Sequence, residues 1–343
     1  MSTVTAQPAT APDDGASSTR SRGSLLRAEA HRFRARRFIQ VLLGLAVLGW
    51  LAAVVIGLTQ FGVPDDGDFA EARQRIDQEV TAQDGYRQQC LDQTGGSEAA
   101  CGQAIRASDF RVEDFLPRQP FDLGTSGQAG AAGFGGAAAV LAFLVGATWI
   151  GAEWSTRSLV ALLFWAPRRL TVMGVKLGVL VVATALFGVV MQLGWLAMAG
   201  ILRAVAGSDN GLPPGFWGDL LATQGRAVLL VVLVALLGFG LANLVRNTGA
   251  ALGVGFVYFA IVETAVRILR PTWEPWLLSD NAVGLLAPGG TVIYIQDGTP
   301  GPNGLVQPTE YVIGSLQGGV LLGAVTVVVV GIGVVLFARR DIH

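Results

Sequence analysis

Few residues in this chain could do chemistry. Lysine occurs once, at Lys176, and histidine twice, at His31 and His343, so metal clusters and histidine acid/base steps lack raw material. The lone lysine lies in Gly174-Val175-Lys176-Leu177. A phosphate-cradling loop needs Gly-x4-Gly-Lys-Ser/Thr, which brings backbone amides and lysine to the phosphates together. The chain cannot supply that motif. No cofactor or metal is expected on it, and it reads as a protein that catalyses no bond-making step. The only cysteines, Cys90 and Cys101, fall in one acidic segment, where an oxidising exterior predicts a disulfide. Glu263 and Arg267 are four apart in an apolar run and can pair on one helical face, as a structural ion pair or as part of a gate.

The elements that must position these residues are membrane spans. Hydrophobic residues make up 52% of the 343 and charged residues 14%, and mean hydropathy is +0.52. Soluble domains carry about 25% charge. Six runs reach the roughly 20 apolar residues that a spanning helix requires: Phe38–Phe61, Gly130–Gly151, Leu177–Leu202, Ala227–Val245, Ala250–Val266 and Tyr311–Phe337. The expected fold class is an all-α, polytopic membrane protein of six transmembrane helices. The second run is crowded with glycines, including Gly130, Gly133 and Gly146, which let helix backbones approach closely. Gln192 and Asn243 are expected to bond between helices, and Arg203 and Arg226 to snorkel at span ends.

Basic residues flank alternate loops. Arg27, Arg32, Arg34, Arg36 and Arg37 precede the first span; Arg157, Arg168, Arg169 and Lys176 lie between the second and third; Arg246 follows the fourth, and Arg339 and Arg340 the sixth. The positive-inside rule therefore predicts a plasma-membrane protein with both termini cytoplasmic. The first outer loop, 62–129, carries 13 acidic residues against 6 arginines. Residues 1–23 read as a disordered cytoplasmic tail. Residues 24–37 read as an interfacial helix, with Leu26, Ala30 and Phe33 on one face and Arg32, Arg36 and Arg37 reaching anionic lipid.

The inner loop 152–176 carries the sharpest pattern. It opens Gly151-Ala152-Glu153-Trp154-Ser155-Thr156-Arg157, continues Ser158-Leu159-Val160-Ala161-Leu162-Leu163-Phe164-Trp165, and closes Ala166-Pro167-Arg168-Arg169 before Lys176. A helix over 154–164 would set Leu159, Leu162, Leu163 and Trp165 against membrane or protein, and Glu153, Arg157, Arg168 and Arg169 toward water or a partner. This loop resembles that of ABC-2 type permeases, in which a Gly-x-Glu turn, a short amphipathic helix and a Pro-basic pair lead into the third span. The Leu26-Arg27-Ala28-Glu29 start and the Phe337-Ala338-Arg339-Arg340-Asp341 ending resemble the family's as well.

The resemblance implies the membrane-spanning subunit of an ATP-driven exporter that pairs with a second permease copy, expected as a homodimer. ATP would be bound by a separate ABC ATPase subunit, and no nucleic-acid partner is implied. Glu153, Trp154, Arg157, Arg168 and Arg169 would form the ATPase-coupling elbow, and reversing Glu153 would uncouple transport without unfolding the spans. An ordinary interfacial helix with Trp154 and Trp165 as anchors is the plainer alternative. Within residues 271–310 the apolar stretch Ala282–Ile295 is too short to cross and is broken at Pro288-Gly289-Gly290. It forms either an outer re-entrant hairpin, as the family has, or a loop resting on headgroups. Glu263, Arg267, Pro288, Gly289 and Gly290 are then the candidate outer gate. A channel, immunity factor or signalling component acting without an ATPase remains the alternative function.

Overall fold

The computed structural model describes residues 14–165, 168–208, 210–295 and 308–339, with side chains from Gly23 onward except at Ser24, Ala99, Val160, Leu163 and Trp165. Helix α1 (Asp14–Ala35) breaks at Arg36 and is followed by α2 (Arg37–Gln60). The tail expected to be disordered through residue 23 is thus helical from Asp14; residues 1–13 lie outside the described residues. Once residues 25–35 have formed a helix, each added residue gains a hydrogen bond at little cost, and no proline stands in the way. Next come α3 (Asp66–Thr94), α4 (Glu98–Cys101), α5 (Leu123–Ser155), α6 (Ser158–Trp165), α7 (Arg169–Ala206) and α8 (Phe216–Val245). Helix α9 (Thr248–Val257) passes through a π-helical turn, Tyr258–Val262, into α10 (Glu263–Leu269). After α11 (Leu278–Leu286) come strands β1 (Thr291–Ile295) and β2 (Thr309–Ile313), then α12 (Ser315–Arg339).

Six helical runs among the described residues are long and apolar enough to cross a membrane: α2, α5, α7, α8, the continuous Thr248–Leu269 and α12. The chain is a predominantly helical, multi-pass membrane protein. Helix α7, with 38 residues, is about 57 Å long against a hydrocarbon core of about 30 Å, so its charged ends, Arg169 and Arg203, have room to reach water.

The stretch offered as a re-entrant hairpin or a headgroup loop is regular in structure. Its apolar stretch 282–295 ends one helix, turns at Pro288-Gly289-Gly290 and enters β1, which pairs antiparallel with β2 from Thr291↔Ile313 to Ile295↔Thr309. Tyr311–Ile313 consequently belongs to a strand, and the last span begins at Ser315 rather than Tyr311. Both strands are rich in β-branched and aromatic residues. Alternation buries Ile295 and Ile313 while Val292, Tyr294 and Val312 stay exposed. Pairing also satisfies backbone groups that an irregular dip into lipid would strand.

Residues fall into two compact units. One holds the amino-terminal residues through Ala46, Ala132–Met191 and the chain from Thr223 on. Its core draws Ala142 and Trp149 from α5, Met173 and Leu180 from α7, and Val231, Ala235 and Phe239 from α8. Helices α5 and α8 cross at reciprocal glycines: a Cβ on Gly146 would fall inside the Ala235 carbonyl oxygen, and one on Gly238 inside that of Phe143. Gly133 and Gly136, by contrast, face open space.

The other unit comprises Val47–Ala131 and Gln192–Ala222. Here Trp195 Nε1 donates to the Gly127 carbonyl at 3.0 Å, Gln192 Nε2 to that of Ala131 at 3.0 Å, and Trp50 Nε1 to that of Gly194 at 2.8 Å. Phe121 is buried, its backbone bridging Ala206 and Ser208. Helix α3 starts with a reciprocal Asp65/Asp68 capping box and stops at left-handed Gly95. Cys90 and Cys101 form the expected disulfide, with Cα atoms 5.7 Å apart. Native protein should therefore take up no maleimide, and reduced protein two equivalents per chain. Cys90→Ser with Cys101→Ser should loosen the α3–α4 junction by about 3 kcal/mol, seen as faster limited proteolysis there.

Asp122 caps α5, accepting from the Thr125 N–H at 3.2 Å and from Asn210 Nδ2 at 2.9 Å. The Asn210 bond, ahead of the backbone bonds from Thr125 and Gly124, holds its carboxyl below the usual carboxylate value. The stabilisation from a depressed carboxylate is complete above its unfolded pKa and is lost as pH falls through the lower folded one. Asn210→Ala should move the Asp122 titration upward in carboxyl-labelled NMR. An unmoved titration would reject the assignment.

Candidate functional site

Trp149 and Glu153 are one turn apart on α5 and project from the same face. Lys176 of α7 meets Glu153 there, its Nζ 2.9 Å from Oε1 and 2.8 Å from Oε2, and reaches Glu29 Oε2 of α1 at 2.6 Å. Arg36, in the break between α1 and α2, donates to Glu153 Oε1 at 2.8 Å and to the Thr148 carbonyl at 3.0 Å. Arg32 closes the other end with Glu29 Oε1 at 3.2 Å. Beneath the ions lies the Trp149 ring, with the Arg36 guanidinium 4.5 Å and the Lys176 ammonium 4.8 Å from its centroid. Lys176 and Glu29 are 0% exposed and Glu153 4%.

Burying ions costs several kcal/mol each before their attraction is counted. Such a cluster persists only because nearly every donor and acceptor is met. It ties α1, α5 and α7 to one another through side chains from each. Burial pulls the Arg36 guanidinium below its ordinary value, while Glu153 and Glu29 oppose that pull.

The expected outward face of the elbow is corrected here. Glu153 faces neither water nor a free partner surface, and Arg36 is bonded to it rather than free for lipid. Charge reversal at Glu153 would disrupt the buried cluster as well as any coupling role. Trp154 is also held, its Nε1 donating to Asn243 Oδ1 at 3.0 Å, its ring edge-on to Phe337 and under the Arg246 guanidinium at 4.6 Å. Arg169 reaches the Phe337 and Ala338 carbonyls at 3.4 Å each, at the end of α12. Arg157 and Arg168 are exposed.

The single helix expected over 154–164 is two helices. Helix α5 ends at Ser155, Arg157 takes a left-handed φ of 54°, and α6 starts at Ser158. Leu159 is fully buried and anchors α6, whereas Phe164 is 85% exposed.

Farther along, Glu263 and Arg267 lie 3.6 Å apart. Arg267 also serves Asp280 at 3.0 Å and Glu274 at 3.5 Å. Glu263 accepts from the Ser279 N–H at 3.1 Å and from its hydroxyl. Burial pushes the Asp280 carboxyl up against the opposing pull of Arg267. These contacts pin α11 to α10. The turn at Pro288-Gly289-Gly290 is a separate feature: among the described residues no hydrogen bond or ion pair joins it to Glu263 or Arg267. Its glycines have φ of 76° and 96°, and a Cβ on Gly290 would strike the Ile313 carbonyl. Arg226 also departs from the expected snorkelling, donating to the Ala287 carbonyl at 3.4 Å.

Sequence reasoning named Glu153 but did not find its cluster. The available signal was Lys176 itself, an ionisable residue beside an apolar run, which by default has a buried partner. In comparisons with known proteins, the chain matches no family model, no curated protein and no solved structure.

Proposed function

We propose that this chain is the membrane-spanning permease subunit of an ATP-driven ABC exporter, with both termini cytoplasmic, working as a dimer with a separate ABC ATPase. The observation that carries the reading is the α5–α6–α7 elbow. Phe164 on its short helix, and Arg157 and Arg168 on either side of that helix, are exposed. Its two flanking spans are tied to each other and to α1 through Lys176. A push on α6 would then move α1, α5 and α7 as one piece, which is what force transmission from a motor subunit requires. On this reading the ATP chemistry belongs to the partner, in keeping with a sequence that holds no Gly-x4-Gly-Lys-Ser/Thr.

Affinity purification of the full chain from its native membrane tests the proposal. The expected result is a stoichiometric companion containing Gly-x4-Gly-Lys-Ser/Thr, together with ATP hydrolysis by the complex. Phe164→Asp should release that companion while thermal unfolding of the chain stays unchanged. Purification without any such ATPase after cross-linking, or an impermeant label reaching Phe164→Cys only from outside the cell, would overturn the reading.

A further inference from the structure

Beside the ionic cluster an apolar slot of about 220 Å³ runs between α1, α2, α5 and α7, walled by Phe33, Leu43, Leu141, Ala183, Leu186 and Val190. Apolar cavities of about 150 Å³ already hold a benzene molecule. The slot is elongated, because Ala183 to Val190 covers about 10 Å of the α7 axis. It is also open sideways, since Leu43, Leu186 and Val190 are 47%, 62% and 62% exposed. On the residues flanking Phe33, Arg32 and Ala35 of α1 and Arg36 just beyond it line a second recess of about 640 Å³, part polar and part apolar, with Glu153, Ser158, Ala161 and Leu162 opposite.

Charge decides what fits. The cluster holds three cations, Arg32, Arg36 and Lys176, against two carboxylates, Glu29 and Glu153, and so carries one surplus positive charge. Lys176 is sealed, whereas the Arg32 side chain is 53% exposed and faces the recess.

We propose that slot and recess form one site for a single anionic phospholipid, with an acyl chain in the slot and the phosphate against the half-exposed Arg32 guanidinium. A soluble anion would leave the slot empty, and a neutral lipid would leave the surplus charge unanswered. The site stands on unit geometry and charge alone and holds whether or not the chain is a transporter.

Native mass spectrometry of protein released from nanodiscs of phosphatidylcholine, with or without phosphatidylglycerol, tests it. Wild type should retain one phosphatidylglycerol about fivefold over phosphatidylcholine, from one arginine at the membrane surface. Arg32→Gln should abolish that preference while leaving phosphatidylcholine retention unchanged. Ala183→Phe should lose the adduct with either lipid. Leu186→Trp blocks the exposed mouth without touching the core and should do the same. Equal retention of both lipids by wild type, undiminished retention in Leu186→Trp, or displacement of phosphatidylglycerol by inorganic phosphate would each overturn the proposal.

Discussion

Replacing Lys176 by Met should destabilise the protein by about 3–5 kcal/mol, the range found when one partner of a buried ion pair is removed. The substitution leaves Glu29 and Glu153 sealed from water around a missing cation. Arg36 already donates to Glu153 at 2.8 Å and Arg32 to Glu29 at 3.2 Å, so neither is free to take the place of the ammonium between the two carboxylates. Adding Glu29→Gln removes one stranded carboxylate and should restore most of the loss. Thermal unfolding in detergent, followed by tryptophan emission, measures both variants, and Trp149 reports directly because a cation is taken from its ring face. A loss below about 1 kcal/mol for Lys176→Met, in the range of an exposed pair, would mean that the cluster is wet.

The second large effect is at Gly146. Glycine to alanine inside a helix ordinarily gains about 1 kcal/mol. Here the new methyl would occupy the Ala235 carbonyl oxygen and crowd the Phe239 N–H, so α5 and α8 must separate. Gly146→Ala should therefore lose about 1–3 kcal/mol or more, against the sign of its propensity. Gly133→Ala, on the same helix but facing open space, is the internal control and should be neutral or stabilising. Equal melting temperatures for the two would remove the close crossing from the account.

The contrast between these glycines shows what the sequence could and could not reveal. The spans were legible because lipid imposes about 20 apolar residues per crossing, whatever the helices touch. Which glycine of a crowded span meets a neighbour depends on helix rotation, and composition does not encode rotation. The disulfide was legible because only two cysteines exist. Strand β1 was misread because Thr291-Val292-Ile293-Tyr294-Ile295 is a short apolar run, and such runs fit a buried helix end or a strand equally well until a pairing partner is known. That partner, β2, lies across residues 296–307, outside the described residues. The ionic cluster was hidden for the same reason: Glu29 and Lys176 are 147 positions apart, and only the packed bundle brings them together.

That separation sets a timetable for biosynthesis. At roughly 5–20 residues per second, a ribosome needs about 7–30 s to travel from Glu29 to Lys176. Helix α1 is made long before α7, yet it cannot reach its final seat until the α7 lysine has emerged. Nascent chains halted before α7 should leave the amino terminus open to protease, and chains halted after it should not.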